Sequence, residues 1–130
     1  KAAYRCYGED MRKTAKGIVR DIHAANGKYF DTEYEERLRL IGKILDGCNL
    51  MLEYIQICLD MGTISLEKSK VWTKKVLDVK YMSAKWKKND GARAKKLEDE
   101  KRAEEAARQI AIVKTAIGQY NEDRRRVRPT

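Results

Sequence analysis

One segment of this chain restricts the possible folds more than any other. Between Thr32 and Met61, apolar residues recur at alternating spacings of four and three for almost four heptads. This spacing predicts an amphipathic helix that packs against other helices. The only proline is Pro129, so no internal position blocks a helix, and an all-α fold is expected. The apolar positions are Tyr34, Leu38, Ile41, Leu45, Cys48, Leu52, Ile55 and Leu59.

Local signals divide the chain into four expected helices, A to D. Asp31 and Ser65 are N-cap residues, because their side chains can accept a hydrogen bond from a backbone N–H group of the first helical turn. Glycine marks three stops, at Asn26-Gly27, at Gly62 and at the turn Asn89-Asp90-Gly91. The expected helices run roughly over Glu9–Ala25, Thr32–Met61, Ser65–Lys88 and Ala92–Arg125.

Short connections between such helices predict an antiparallel four-helix bundle with a long, charged C-terminal helix. Residues 1–90 are expected to form the bundle core. Residues 91–130 are expected to form the charged helix and a basic tail, Arg124–Arg128, packed on the bundle or extending from it. Gly17, inside helix A, predicts close packing against a neighbouring helix.

Two further apolar stripes have helical spacing. The stripe of helix C contains both tryptophans and is expected to face the core. The stripe of helix D is confined to its second half, because its first half is rich in alanine and charge. The stripes are Trp72, Val76, Val79, Met82 and Trp86 in helix C, and Ala106, Ile110, Val113, Ile117 and Tyr120 in helix D.

Positive charge is concentrated in one segment. The stretch Thr63–Lys96 holds eleven Lys or Arg against three Asp or Glu, a net charge of +8. The whole chain has a net charge of +9, so nearly all of the excess lies in this stretch. Such a segment favours binding to a polyanion, with weak sequence selectivity because lysine contacts phosphates as a point charge. A solvated face that only aids solubility is the alternative. Candidate nucleic-acid-binding residues are Lys70, Lys74, Tyr81, Lys85, Lys87 and Lys88 on helix C, and Arg12, Lys16 and Arg20 on helix A.

Helix B carries a second apolar seam beside the first. A helix this apolar cannot face water over most of its girth, so it is expected to be both a central helix and an interface between copies. The expected oligomer interface consists of Leu50, Met51, Tyr54, Ile57 and Cys58.

The sequence offers little catalytic chemistry. His23 is the only histidine, so neither a metal site nor a Glu-x-x-His pair of a di-metal bundle is expected. The glycines are scattered and form no phosphate-binding loop. Cys6, Cys48 and Cys58 lack metal-binding spacing and are expected to be small buried hydrophobic side chains in a reducing cytoplasm, with Cys48 and Cys58 on the apolar side of helix B. We expect no enzyme, no cofactor and no membrane segment.

Several short signatures resemble a known family. They are the opening YRCYGEDMRKTAKGIVRDIHAAN, a long apolar helix ending in LDMGTIS, and a lysine-rich helix with a late tryptophan. Together they resemble the accessory variability determinant proteins of diversity-generating retroelements, within a wider group of four-helix-bundle proteins. The resemblance covers about Tyr4 to Lys88. The matching positions are Gly8, Arg12, Ala25, Asn26, Leu59, Asp60, Gly62, Ile64, Ser65 and Trp86.

The resemblance implies a non-enzymatic, basic partner of a reverse transcriptase. Members of that family are homopentamers that bind the polymerase and its template-repeat RNA and support the mutagenic cDNA synthesis of retrohoming. Two other interpretations stay open. One is a structural or interaction bundle whose charge is incidental, and the other is a small all-helical enzyme.

Overall fold

The computed structural model describes the backbone of residues 2–127 and the side chains of residues 7–127. Over that range the chain forms three helices, α1 (Ala2–Asn26), α2 (Phe30–Asp60) and α3 (Leu66–Val127), and no strand. It divides into two compact units, Lys1–Ala92 and Arg93–Thr130. The expected all-α fold is confirmed.

The connection between α1 and α2 is three residues long. The Gly27 amide donates to the His23 carbonyl at 3.1 Å, so α1 ends where the Asn26-Gly27 signal predicted. The prediction of Asp31 as N-cap is wrong, because Tyr29 occupies that position. The Tyr29 amide donates to the Glu33 carboxylate at 3.0 Å, and the next residue, Phe30, is buried. The helix therefore starts at Phe30, two residues before the expected Thr32, and has a kink at Glu33, whose φ of −128° and ψ of 22° are not helical.

The connection between α2 and α3 follows its local signals. Gly62 has a φ of 71°, the left-handed conformation that glycine adopts without strain. The Gly62 amide donates to the Leu59 carbonyl and the Thr63 amide to the Cys58 carbonyl, both at 3.0 Å, which is a Schellman motif. The Ser65 hydroxyl then accepts a hydrogen bond from the Lys68 amide at 3.1 Å. Gly62 as stop and Ser65 as N-cap are both confirmed.

The first unit has its core between all three helices. One buried cluster joins Met11 of α1 to Ile55 and Cys58 of α2, and Trp72 and Val76 of α3 pack against it. A second cluster joins Ala25 of α1 to Leu40 and Ile41 of α2, and Trp86 packs against it. Burying an aliphatic side chain of this size stabilises a fold by about 1.5–3 kcal/mol.

The close approach of α1 and α2 occurs at Gly47. A Cβ atom at Gly47 would lie 2.8 Å from Cγ1 of Ile18, so only glycine fits there without a shift. The prediction that Gly17 marks the close packing is wrong, because a Cβ atom at that position would meet only the Arg20 guanidinium, at 3.6 Å. A glycine within a helix suggests that two helices come close, but the sequence does not show which of several glycines the contact requires.

A turn at Asn89-Asp90-Gly91 does not occur, because α3 continues through all three residues. Asp90 is buried and its carboxylate accepts a hydrogen bond from Nε of Arg37 at 2.6 Å. A carboxylate engaged in this way cannot fold back onto its own backbone, which is how aspartate favours a turn. The expected helices C and D are therefore one helix.

The second unit, Arg93–Thr130, is helical as far as Val127. Every side chain from residue 98 to residue 127 is exposed. Arg128, the last residue of the expected basic tail, lies outside the described residues. Among residues 2–127, none of the helices has a stretch both long and apolar enough to cross a bilayer.

The continuous helix predicts opposite effects at two glycines. Gly91→Ala should raise the free energy of unfolding by about 0.5–1 kcal/mol, because Gly91 is helical and its missing Cβ would meet open space. Gly62→Ala should lower it by about 1–2 kcal/mol, because Gly62 is left-handed. Urea unfolding of both variants measures this difference. A Gly91→Ala variant less stable than the parent would contradict the continuous helix and support a turn at this position.

Candidate nucleic-acid interface

The rotation of α3 determines which of its side chains reach solvent. Its core-facing residues recur every three or four positions, and three of them are polar. Two of these three, Ser69 and Ser83, are buried serines, and the Ser69 hydroxyl donates to the Leu66 carbonyl at 2.9 Å. Met82 was expected in this stripe but is 73% exposed, and Ser83 faces the core instead. The stripe is Ser69, Trp72, Val76, Val79, Ser83, Trp86 and Asp90.

The lysines lie on the opposite side of the same helix. At about 100° per residue, five side chains fall about half a turn from the centre of the core-facing stripe. All five are exposed, and we call them the lysine face: Lys70, Lys74, Tyr81, Lys85 and Lys88. Lys87 is also exposed but lies nearer the core-facing side, so it is separate from this face. The structure therefore brings five of the six candidate residues of helix C together.

The lysines of this face are not engaged in ion pairs within the described part of the chain. None of the four lysines makes a salt bridge to a carboxylate of residues 7–127. Tyr81, among them, is 64% exposed and presents its ring to solvent. Free ammonium groups around an exposed aromatic ring are suited to phosphates and an unpaired base.

The basic row on α1 is weaker. Arg12, Lys16 and Arg20 are all exposed, as expected of a binding surface. Arg12 lies 3.8 Å from the Glu9 carboxylate, however, and Arg20 lies 3.8 Å from the carboxylate of Asp21. Only Lys16 has no ion-pair partner among residues 7–127. The row therefore carries less free charge than the lysine face.

The residues of the expected oligomer interface on α2 differ in exposure, and some of them belong to the core. Leu50 is 39% exposed, and Tyr54 and Ile57 are half-buried. Met51 and Tyr54 pack against the first core cluster, and Cys58 is fully buried inside it. Met61, at the end of the helix, is exposed on the same side as Leu50. We define the α2 apolar strip as Leu50, Tyr54, Ile57 and Met61. Two expected interface residues are not part of it: Met51 lies about 100° from Leu50 around the helix, and Cys58 is buried.

Sequence reasoning missed the most enclosed ionic contact. The Arg37–Asp90 pair has its two side chains 18% and 9% exposed. The Arg37 guanidinium also lies over two aromatic rings, 5.8 Å from the centre of Phe30 and 5.3 Å from that of Trp86. Cation–π contacts of this kind strengthen when water is excluded. A single charged residue on α2 and another far along the chain give no periodic signal that would have revealed the pair.

The metal-binding residue types of the described part of the chain are not grouped. His23 is exposed, and no three of the His, Cys, Asp and Glu side chains of residues 7–127 are grouped to hold a metal ion. A groove of about 360 Å³ lies between α1 and α3. It is mostly apolar and contains no ionisable side chain. Its lining residues are Ile22, Asn26, Val79, Met82, Ser83 and Trp86.

The cysteines of the described part are structural. Cys48 and Cys58 are free thiols and are fully buried. Burial raises the pKa of the Cys48 thiol, against a smaller opposing effect of the Lys80 charge. A higher pKa leaves less of the reactive thiolate at neutral pH. Cys6 lies outside the residues whose side chains are described.

No family model matches this sequence, and no curated protein or solved structure is significantly similar to it. The resemblance to the accessory variability determinant proteins therefore stays a prediction.

The enclosed Arg37–Asp90 pair predicts a large loss of stability when one partner is removed. Asp90→Ala should lower the free energy of unfolding by about 3–5 kcal/mol, because it leaves the Arg37 charge in a largely enclosed position without its counter-ion. Asp78→Ala, at an exposed position of the same helix, should change it by less than about 0.5 kcal/mol.

A double variant separates the charge from the packing. Replacing both partners, Arg37→Met with Asp90→Leu, should recover most of the loss, since two apolar groups need no ionic compensation. Thermal and urea unfolding of the three variants provide the measurement. Equal stabilities of the Asp90→Ala and Asp78→Ala variants would contradict the structural role of the pair.

Proposed function

We propose that this chain is a non-enzymatic accessory protein that binds RNA on the lysine face of α3 and presents it to a reverse transcriptase. The observation that carries the proposal is the set of exposed, unpaired ammonium groups on the side of α3 away from its core. Binding of this kind needs no catalytic residue. It raises the local concentration of template near a polymerase by electrostatic attraction.

The spacing along α3 supports a nucleic-acid strand as the ligand. Lys70 and Lys88 are 18 positions apart, which corresponds to about 27 Å along a helix. Lys74 and Lys85 lie between them, with Tyr81 on the same line. A row of this length is suited to the backbone of an extended strand, whereas a small anion would need a compact cluster.

The polymerase and the template-repeat RNA enter the proposal through the sequence resemblance. Its signatures fall on structural positions of the first unit. Gly62 is left-handed and Ser65 caps α3, while Ala25 and Trp86 share one core cluster. These positions support a helical scaffold shared with that family. The proposal includes antiparallel packing of its helices.

We further propose that the chain forms a homo-oligomer, a pentamer by the resemblance, through the α2 apolar strip. Met61 is 52% exposed and Leu50 is 39% exposed, so apolar surface on this side of α2 is left in contact with water. Covering it by another copy stabilises an assembly by about 25 cal/mol per Å² of apolar surface.

The lysine face predicts a salt-dependent and position-dependent loss of RNA binding. Binding of single-stranded RNA should weaken with salt, with a log–log slope of about −0.7 per phosphate contacted. Lys74→Glu with Lys85→Glu should weaken binding to all sequences alike and reduce the magnitude of that slope by about 1.4. Fluorescence anisotropy titrations over a series of salt concentrations measure both quantities.

A matched control has the same change of charge on another side of α3. Lys68→Glu with Lys75→Glu replaces two exposed lysines near the core-facing side and should leave most of the affinity. Equal losses in the two double variants would show that net charge alone acts. This result would favour the alternative of a structural bundle whose charge is incidental.

The same variants test the polymerase part of the proposal. The parent protein should stimulate cDNA synthesis by a diversity-generating reverse transcriptase on template-repeat RNA. The Lys74→Glu, Lys85→Glu variant should not stimulate it, whereas His23→Ala should. Loss of stimulation in His23→Ala, with RNA binding intact, would support an enzymatic role.

The α2 apolar strip predicts a change of mass. Light scattering of the parent protein should give a mass that is a whole multiple of the pentamer, that is, of five times the 15.1 kDa mass of the chain. Leu50→Glu should reduce the mass, because it places a charge in the apolar contact. Asn49→Glu, at the adjacent exposed position on a different side of α2, should leave it unchanged. A monomeric parent at micromolar concentration would contradict this interface.

A further inference from the structure

The second unit carries an apolar stripe that nothing in that unit covers. Its large members are all more than half exposed: Ile110 56%, Val113 56%, Ile117 55% and Tyr120 63%. They continue a spacing of three and four that begins at Ala103 and Ala106. A narrow stripe with this repeat is the seam of a coiled coil, which needs a second helix to cover it. We call it the C-terminal seam.

The geometry points to a second copy of the same helix, in antiparallel orientation, as the occupant of this seam. This inference depends neither on the lysine face nor on the α2 apolar strip. Two features of the seam decide the orientation, namely the sizes and the charges of its residues. Its residues are Ala103, Ala106, Ile110, Val113, Ile117 and Tyr120.

The sizes of the seam residues fit an antiparallel pair. The seam begins with two alanines and ends with an isoleucine and a tyrosine. With Ile110 set against Val113 of the second copy, Ala106 meets Ile117 and Ala103 meets Tyr120. Each small side chain then faces a large one, which fills the space evenly. A parallel pair would set alanine against alanine at one end and tyrosine against tyrosine at the other.

Charge selects the same orientation and register. The heptad spacing extends beyond the apolar residues to Asp99 before them and Arg124 after them. In the antiparallel register, Asp99 of each copy faces Arg124 of the other. A parallel pair would set Asp99 against Asp99 and Arg124 against Arg124. Like charges in facing positions oppose association, so the parallel form is disfavoured.

The flanking charges reinforce this choice. Residues 98–105 contain five acidic and two basic side chains, whereas residues 124–126 are three arginines. An antiparallel pair places the acidic segment of one copy beside the arginines of the other. Arg102 also comes opposite Asp123 of the second copy. Opposite charges at such flanking positions select partner and orientation in coiled coils.

Disulfide trapping in the full-length chain tests the orientation. In a Cys6→Ser background, where Cys48 and Cys58 are buried, Ala103→Cys with Tyr120→Cys should form covalent dimers on oxidation. The two positions are about 26 Å apart along one helix, so they cannot pair within a chain. Each single variant should stay uncrosslinked. Dimers of both single variants would show a parallel pair and overturn the inference.

Charge exchange in trans tests the register. Asp99→Arg alone and Arg124→Asp alone should each weaken self-association by about tenfold or more, since each sets like charges face to face. Mixing the two variants should restore it, because the arginine introduced in one chain then faces the aspartate introduced in the other. Sedimentation equilibrium of the single variants and the mixture measures the association constants.

Glu105→Arg is the matched control. Like Asp99, Glu105 makes a local ion pair three residues along the helix, Asp99 to Arg102 at 3.1 Å and Glu105 to Arg108 at 3.6 Å. Glu105 lies away from the seam, so its replacement should leave the association constant within about twofold. If no variant crosslinks, and Ile110→Asp with Ile117→Asp leaves the mass of the parent unchanged, a second copy does not cover the seam and the inference fails.

Discussion

The Arg37–Asp90 ion pair is the contact on which the arrangement of the first unit depends most. It joins the first turns of α2 to a position on α3 that is 53 residues further along the chain. The guanidinium is enclosed by Phe30 and Trp86, so the same arginine fixes the start of α2 and one turn of α3. A planar guanidinium can pair with a carboxylate and stack on rings at the same time, which lysine cannot do.

The rotation that this pair imposes on α3 also determines the proposed binding surface. With Asp90 turned toward α2, Trp86 and Ser83, which lie four and seven positions before it, face the core as well. The lysines are then left on the far side, where none of them forms an ion pair with a carboxylate of the described residues. A rotation of α3 by one residue, about 100°, would move Met82 inward and carry the lysine face toward the edge of the core. The ionic pair in the core and the free charge on the surface are thus consequences of one packing choice.

The structure shows which features the sequence could reveal. Ends determined by neighbouring residues were predictable, namely Gly62, with its Schellman motif, and Ser65, with its capping hydrogen bond. Features determined by distant residues were not. Asp90 carries every local sign of a turn, yet it lies within α3, and its carboxylate binds Arg37, 53 residues earlier in the chain.

The candidate site follows the same division. Exposure of the lysines could be predicted, because charged side chains on a helix with an apolar stripe face water. Burial of Cys58 was also predicted and is confirmed, but its apolar character suits a core and an interface equally well, so the sequence could not separate the two. Met82 and Ser83 show the same limit, because both fit the repeat of three and four, and the packing of α3 chose the smaller, polar residue.

The two proposed properties of the first unit, assembly and RNA binding, are coupled through charge. Each chain carries a net charge of +9, so bringing several copies together concentrates positive charge and opposes association. RNA bound on the lysine faces removes that repulsion, and by linkage whatever favours assembly on RNA must also favour RNA binding by the assembly. Salt acts on the two steps with opposite sign, because it screens the repulsion between copies but weakens the attraction to phosphate. In the proposed accessory role, assembly is therefore most favourable where the template is present.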